Sequence, residues 1–151
     1  MTIKKKISIK NVSFGKNVTI IEPVNLYNCK IGNNCFIGPF VEIQEGSIIG
    51  DNTRIQSHSF ICSKVKIGKN CFIGHGVKFV NDKFLKNKLT KDKKKLLNTL
   101  VGSNVLIGSN STILPVAIKN NIVIGAGSVV TKDCKKKKGV YMGNPAKQKK
   151  N

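Results

Sequence analysis

The sequence predicts an all-β fold, a parallel β-helix with three short strands in each coil. Three observations support this prediction. An aliphatic or aromatic residue recurs at every sixth position, a small or β-branched residue often follows four positions later, and glycine often comes directly after the first residue of a block. Six is three times the two-residue period of a β-strand, so both recurring residues point inward. An α-helix would spread them round its surface.

The six-residue register is unbroken through the middle of the chain. Its blocks open at Ile31, Ile37, Ile43, Ile49, Ile55, Ile61, Ile67, Ile73 and Phe79. The same step holds upstream at Phe14, Ile20 and Leu26, and downstream at Val101, Ile107 and Ile113, then at Ile118, Ile124 and Val130. Three blocks make one triangular coil. The coils stabilise one another by stacking, because a single coil cannot bury its inner face.

The break in the register divides the chain into parts. We expect one domain, with repeat coils at about 14–79 and 101–130, a loop at 80–100 and a C-terminal arm at 131–151. The loop is rich in lysine. A loop of about 20 residues inside a compact domain is unusual and is often functional; the alternative is a solvated, charged excursion.

Composition excludes several classes of function. The formal net charge is +20, but only Arg54 among the 27 basic residues is arginine. Base readout relies on arginine and stacking aromatic residues, so we expect no nucleic-acid partner. The five cysteines form no C-x-x-C pair, which disfavours a disulfide framework and a zinc site. We see no signal peptide and no apolar stretch of roughly 18 residues, and we expect a cytoplasmic protein without a membrane span.

Two histidines are the candidate catalytic residues. His58 and His75 belong to blocks three apart, opened by Ile55 and Ile73. The register therefore places them at one exposed corner, in adjacent coils. An imidazole is suited to general-base chemistry near neutral pH. The alternative is that each is only a polar corner residue.

His58 and three other polar side chains are candidate substrate contacts. Asn81 begins the loop six residues after His75, and its amide is a candidate for orienting an amino group and so for a catalytic role. Asp82 is suited to bond hydroxyl groups, and Glu42 lies one coil below His58. A turn-forming role is the alternative for a loop asparagine. A backbone N–H group near a glycine-rich corner is the natural donor to an oxyanion.

Several motifs carry a family resemblance. The repeats, the single loop and the closing segments IGAGSVVTKD (124–133) and GNPAK (143–147) resemble the hexapeptide acyltransferases. The segments IGHGV (73–77), VNDKF (80–84) and IGSNSTILP (107–115) are similar to the N-acetyltransferases of nucleotide-linked 3-amino sugars. The resemblance implies a left-handed β-helix, a homotrimer with sites between subunits, and acetyl-CoA as acyl donor. It implies N-acetylation of a dTDP- or UDP-linked 3-amino sugar for cell-surface glycan biosynthesis.

The resemblance also implies where acetyl-CoA binds. The pantetheine is expected along the later coils, with lysines as point charges for the CoA phosphates. The residues so implied are Ser109, Gly125, Ala126, Gly127, Lys132, Pro145 and Lys147. The lysine-rich loop is a candidate for collecting the diphosphate of the nucleotide-linked sugar. No metal is expected.

Other functions remain open on this fold. An O- or N-acetyltransferase of another small substrate would differ in failing to respond to nucleotide-linked sugars. A zinc-dependent carbonic anhydrase needs three histidine ligands, whereas the chain has two histidines. A non-catalytic scaffold would need neither stacked corner histidines nor a long loop beside them.

Overall fold

A computed structural model describes residues 8–135 and 138–149. Its regular structure consists mainly of strands of two to four residues. In chain order they are β1 (Ile9–Lys10), β2 (Ser13–Phe14), β3 (Thr19–Ile20), β4 (Asn25–Tyr27), β5 (Lys30–Ile31), β6 (Phe36–Ile37), β7 (Glu42–Ile43), β8 (Ile48–Ile49), β9 (Arg54–Ile55), β10 (Phe60–Ile61), β11 (Val65–Ile67), β12 (Phe72–Ile73), β13 (Lys78–Phe79), β14 (Thr99–Val101), β15 (Leu106–Ile107), β16 (Thr112–Ile113), β17 (Ala117–Ile118), β18 (Ile122–Ile124), β19 (Val129–Val130), β20 (Gly139–Met142) and β21 (Lys147–Gln148). Two short 3-10 turns, Leu85–Asn87 and Lys93–Lys95, lie between β13 and β14.

The strands form three sheets, which we call faces A, B and C. Face A contains β1, β4, β7, β10, β13, β16 and β19, face B contains β2, β5, β8, β11, β14 and β17, and face C contains β3, β6, β9, β12, β15, β18, β20 and β21. Strands of successive coils pair in parallel, and in the described part of the chain only β20 and β21 pair antiparallel. The predicted parallel β-helix, with one protruding loop and a short C-terminal extension, is confirmed.

The residues that open the blocks line the interior. Ile55 and Ile73 pair in register on face C, and both are fully buried. Burial of such a side chain contributes roughly 1.5–3 kcal/mol. The small residues also point inward, and their hydroxyl groups are satisfied: Ser59 Oγ donates to the carbonyl oxygen of Gly74 at 2.9 Å. Both inward positions predicted from the repeat are therefore right.

The five cysteines are buried free thiols. Burial raises the pKa of Cys62 to about 12 and the pKa of Cys29 and Cys134 to about 11. Because the thiolate is the reactive form of cysteine, these side chains serve packing rather than nucleophilic chemistry near neutral pH.

The corner that leads from face B to face C, the BC corner, carries a ladder of asparagines. They are Asn17, Asn34, Asn52, Asn70, Asn104 and Asn121, with φ values from 54° to 60°. Each side-chain amide donates to the amide oxygen of the next asparagine at 3.1–3.2 Å. Asparagine tolerates this left-handed conformation, so the turns and the ladder support each other.

The lysine-rich loop leaves the corner between faces A and B, the AB corner, and folds back over earlier coils. The Lys64 ammonium group donates to the carbonyl oxygens of Lys94 at 2.9 Å and Leu96 at 3.1 Å. Lys93 Nζ lies 2.9 Å from Glu45 Oε1, and this hydrogen bond raises the pKa of Lys93. The loop is thus attached to the stacked coils of the β-helix by backbone and side-chain contacts.

Two boundaries of the coil region differ from the prediction. Strand β1 begins at Ile9, before the first expected coil at 14, and pairs in register with β4. Strand β14 begins at Thr99, inside the expected loop, because the Thr99 side chain already occupies a buried position.

The C-terminal arm adds a last layer to the helix. The backbone of Cys134 forms an isolated parallel β-bridge with that of Ile118. Strand β20 then pairs with β18 before the chain turns back as β21. Residues 136–137 and 150–151 of the arm lie outside the described residues. Over the described ranges, helices of the length and hydropathy required to cross a bilayer are absent.

Candidate active site

The turns from face C to face A stack into one column, which we call the histidine corner. Its turns are Pro39–Phe40, Ser57–His58, His75–Gly76, Ser109–Asn110 and Ala126–Gly127. In each coil the N–H group of the second residue donates to the carbonyl oxygen of the first residue one coil below, as from Gly76 to Ser57 at 2.9 Å and from Asn110 to His75 at 2.8 Å. The structure places both histidines here in adjacent coils, as the register predicts.

The histidine corner differs from the BC corner in the type of residue at the second position of each turn. Where the BC corner uses asparagine, the histidine corner has Phe40 (φ 59°), His58 (φ 62°), Gly76 (φ 67°), Asn110 (φ 58°) and Gly127 (φ 67°). A bulky side chain is unfavourable in the left-handed region. Such strain concentrates at functional sites, so Phe40 indicates a requirement other than folding, whereas histidine, like asparagine, is enriched in this region.

The two histidines are held differently. His75 Nδ1 lies 2.8 Å from the Ser57 hydroxyl oxygen. The His58 ring instead packs on the Phe40 ring, with centroids 4.8 Å apart and planes 30° apart. The carbonyl oxygen of His58 accepts a hydrogen bond from the Lys78 ammonium group. Within residues 8–135 and 138–149, His75 has a side-chain hydrogen-bond partner that orients its ring, whereas the His58 ring nitrogens have none.

Backbone donors are available beside His75. The N–H groups of His75, Ser109 and Ala126 have no acceptor among the described residues. At the BC corner, four of the six equivalent groups have a side-chain acceptor, as where the Ser103 N–H donates to Asn120 Oδ1 at 2.9 Å. Unpaired N–H groups on a rigid corner are suited to bind a carbonyl oxygen or an oxyanion.

Asn81 and Asp82 lie at the opposite edge of face A. The Asn81 amide donates to Ser63 Oγ at 2.8 Å. The Asp82 carboxylate accepts from the backbone of Thr90 at 2.7 Å and of Phe84 at 2.9 Å, and from the Thr90 hydroxyl at 3.0 Å. These bonds hold the pKa of Asp82 below its usual range. Strand β13 separates both residues from the histidine corner, so one chain does not bring His75 and Asn81 together.

Glu42 lies near the histidine corner. It pairs with Phe60 in the register of face A, which places it one coil below the coil of His58, as predicted. Its Oε1 accepts a hydrogen bond from Gln44 Nε2 at 2.7 Å. The carboxylate is half-buried and faces outward.

Most of the residues implied for CoA binding gather above His75. Ser109, Ala126 and Gly127 continue the histidine corner, and Gly125 comes directly before it. Pro145 lies in the turn before β21, where the adjoining Ala146 N–H donates to the Val129 carbonyl oxygen at 2.8 Å. This turn therefore caps the same column, and Lys147 follows it in β21.

Lys132 is separate from that group. It follows β19 at the AB corner, on the other edge of face A. There it lines an open groove of about 450 Å³ together with Lys83, Lys135 and Asp133. A phosphate role for Lys132 at the histidine corner of its own chain does not fit this position.

Face C presents an apolar stripe beside the histidine corner. Its outward residues stack in register as Phe36, Arg54, Phe72, Leu106, Val123 and Val140. Phe72 is 37% exposed and Leu106 is 46% exposed. The Arg54 guanidinium lies over the Phe36 ring, 4.2 Å from its centroid. Such a stripe of apolar residues on an outer face is typical of a surface that another molecule covers.

No group of three or more histidine, cysteine, aspartate or glutamate side chains positioned to hold a metal ion occurs over residues 8–135 and 138–149.

Phe40 and Ser57 were not predicted from the sequence. Both were accessible from the register, because a given corner position recurs about every 18 residues and Ser57 precedes His75 by one coil. The signal for Phe40 was an aromatic residue at a position that the same coils fill with asparagine at the BC corner.

Stacked coils, each made of three six-residue blocks, define a hexapeptide-repeat protein. The family described as bacterial transferase hexapeptide (six repeats) matches residues 28–63, and the hexapeptide repeat of succinyl-transferase matches residues 64–77 and 99–132. The two matches together cover more than half of the chain, which belongs to the hexapeptide-repeat family of bacterial transferases.

Among individual proteins, the chain is similar to GlmU over most of its own length. The bifunctional protein GlmU of Buchnera aphidicola subsp. Acyrthosiphon pisum (strain Tuc7) is 32% identical over 153 residues, covering 95% of this chain and 33% of GlmU. The chain thus spans about a third of the length of the curated relatives it matches.

Two solved structures share the fold. A variant of AntD, an N-acyltransferase from Bacillus cereus solved with dTDP and coenzyme A, matches with a TM-score of 0.80 at 24% identity, covering 91% of this chain and 82% of AntD. A maltose O-acetyltransferase from Clostridium difficile 630 matches with a TM-score of 0.59 at 26% identity, covering 91% of this chain and 68% of that one.

Proposed function

We propose that the protein transfers an acetyl group from acetyl-CoA to the amino group of a dTDP- or UDP-linked 3-amino sugar, in cell-surface glycan biosynthesis. The observation that carries this proposal is an exposed His75, oriented through Nδ1 by Ser57, next to backbone N–H groups that lack an acceptor in the described part of the chain. AntD, which shares the fold, was solved with dTDP and coenzyme A.

These groups match the requirements of amide formation. The amine nitrogen attacks the thioester carbonyl carbon, the N–C bond forms, and the C–S bond breaks with CoA leaving as a thiolate. The negative charge that develops on the carbonyl oxygen is stabilised by a free N–H group, that of Ser109 or Ala126. The proton lost by the amine passes to His75 Nε2, because Nδ1 is engaged with Ser57. The CoA thiolate is the alternative acceptor of that proton.

The two substrates bind at different levels of the histidine corner. The small residues above His75 (Ser109, Gly125, Ala126, Gly127) and the turn at Pro145 leave room for the pantetheine, with Lys147 beside its phosphates. The amino sugar then lies on the lower side, within reach of His58 and Glu42. This order keeps the two substrates from competing for the same coils.

A homotrimer with sites between subunits would complete the site. Asn81, Asp82 and Lys132 lie at the AB corner and cannot reach His75 of their own chain, whereas the AB corner of a second copy can face it. The apolar stripe on face C, directly beside the histidine corner, supports burial against another copy. Asn81 would then orient the amino group, Asp82 would shape the loop that holds it, and Lys132 would contact phosphate.

An acetyl-transfer assay tests the proposed activity. Radiolabelled acetyl-CoA is incubated with dTDP- and UDP-linked 3-amino sugars, and the matching 3-hydroxy sugars serve as controls. The proposal predicts label in the amino sugar alone. Label in the hydroxy sugars would indicate an O-acetyltransferase, and label in none of them would remove the proposed substrate class.

Subunit complementation tests the shared site. Chains carrying His75→Asn and chains carrying Asn81→Ala are assayed separately and after joint refolding. A site between subunits predicts that the mixed assemblies regain activity that neither variant has, because some sites then contain both native residues. Mixtures no more active than the separate variants would place the site within one chain.

A further inference from the structure

Ser57 and His75 occupy the same position in successive turns of the histidine corner. The Ser57 hydroxyl oxygen lies 2.8 Å from His75 Nδ1, and no other hydrogen bond to this hydroxyl group occurs among the described residues. A hydroxyl group can donate or accept. Either the serine donates to an unprotonated Nδ1, or Nδ1–H donates to the serine oxygen.

We infer that Ser57 is a positioning residue that accepts a hydrogen bond from Nδ1–H of His75 and so leaves the lone pair on Nε2. This inference rests on the proposed function, because a base that takes the amine proton at Nε2 requires this tautomer. The same bond persists after proton uptake, since both ring nitrogens of imidazolium are donors. The proton then passes from Nε2 to solvent, and no group has to reorient during the cycle.

Substitutions at Ser57 test the assignment. Ser57→Ala lowers kcat about tenfold, the effect of losing one hydrogen bond of ordinary strength, with the KM for acetyl-CoA unchanged. Ser57→Asp supplies a stronger acceptor that favours the imidazolium, so the acidic limb of the pH profile of kcat/KM moves to higher pH while activity above that limb is retained. Ser103→Ala is the matched control, because Ser103 has the equivalent position at the BC corner.

Nitrogen NMR of the His75 imidazole distinguishes a positioning role of Ser57 from a purely structural one. In the unliganded protein, above the acidic limb, His75 is expected as the Nδ1–H form, and Ser57→Ala shifts it towards the Nε2–H form, whatever the substrate. An unchanged tautomer in Ser57→Ala overturns the inference. So does acetylated Ser57 detected after incubation with acetyl-CoA, which would make the serine a nucleophile. A confirmed tautomer in a protein that transfers no acetyl group would remove the proposed function alone.

Phe40 carries a second, independent observation. Its ring is 57% exposed, its φ is 59°, and it packs against the His58 ring on the side away from the coils assigned to CoA. An exposed aromatic ring in an unfavourable backbone conformation adds little to folding.

The geometry points to Phe40 as a platform on which the base of the nucleotide-linked substrate stacks. This assignment also rests on the proposed function. Phe40 lies two coils below His75, roughly 10 Å at the usual spacing of paired strands. A diphosphate and a ribose are long enough to bridge that distance. The ring pair with His58 fixes the plane of the platform.

Binding of UDP and of dTDP, measured by calorimetry, tests this assignment with Phe40→Tyr, Phe40→Leu and Phe40→Asn. The tyrosine variant retains affinity, whereas the leucine and asparagine variants lose about tenfold or more. All three keep their affinity for CoA. Thermal unfolding should show Phe40→Asn to be folded, since asparagine suits this φ.

Equal nucleotide affinity of Phe40→Asn and the parent overturns the assignment, as does a parent that binds neither nucleotide. A parent that binds them through Phe40 but transfers no acetyl group would remove the proposed activity and leave the platform in place.

Discussion

Replacement of Asn52 tests how the chain turns its corners. The Asn52 amide donates to Asn70 Oδ1 at 3.1 Å and its oxygen accepts from Asn34 Nδ2 at 3.2 Å. Its φ is 57°. Asn52→Ala removes both hydrogen bonds, each worth roughly 0.5–1.5 kcal/mol. It also replaces asparagine, whose polar side chain makes the left-handed region tolerable, with alanine, at a cost of about 1–2 kcal/mol.

We therefore expect Asn52→Ala to lower the free energy of unfolding by about 2–5 kcal/mol. Asn52→Gly also loses the two bonds but tolerates the conformation, so it should cost about 1 kcal/mol less than alanine. Asn87 in the loop has a φ of 55°, and its side-chain amide makes no hydrogen bond within the described residues. Asn87→Ala is therefore the control for conformation alone.

Urea unfolding followed by circular dichroism measures these differences, at one fixed protein concentration because assembly changes apparent stability. The slope of unfolding free energy against urea should be the same in all variants. If Asn52→Ala lowers the free energy of unfolding no more than Asn87→Ala does, the hydrogen bonds of the ladder contribute nothing to stability.

Three further predictions concern the site, the core and the loop. His75→Asn should lower kcat by about 10²- to 10⁴-fold and leave CoA affinity unchanged by calorimetry; unchanged turnover would favour proton transfer to the CoA thiolate. Native protein should react very slowly with a disulfide reagent at pH 8, because the pKa of Cys62 is about 12 and the other thiols are also buried; rapid reaction before unfolding would contradict the packing. The lowered pKa of Asp82 means that its stabilisation of the loop is complete above the unfolded pKa and is lost as pH falls through the folded pKa. Hydrogen exchange of the Thr90 amide, corrected for its intrinsic rate, should accelerate only below about pH 4, whereas Asp82→Asn should accelerate it at neutral pH.

The repeat predicted the fold because the fold depends on the stacking of equivalent buried side chains in neighbouring coils. An opener such as Ile73 is buried against Ile55 and Ile107 of the neighbouring coils, so each inward position constrains the next. The first coil was missed because little covers it: Ile9 is 40% exposed, and a five-residue step separates it from Phe14.

The candidate site was predicted only in part, for a reason that lies in the same geometry. A step of six residues moves the chain to the next corner, whereas a step of about 18 returns it to the same corner. Asn81 follows His75 by six residues and therefore lies across face A, although the two are close in sequence. Ser57 precedes His75 by 18 residues and contacts it. Hydrogen bonds such as this one depend on rotamers, which the sequence pattern does not specify.

The release of CoA thiol tests the central claim, acetyl transfer at the histidine corner, most directly. The purified chain and its His75→Asn variant are mixed with acetyl-CoA, with and without a nucleotide-linked 3-amino sugar. Acetyl transfer at this corner predicts thiol release that requires the amino sugar and that falls by about 10²-fold or more in the variant. Absence of amino-sugar-dependent release, or equal release by the variant, would contradict it.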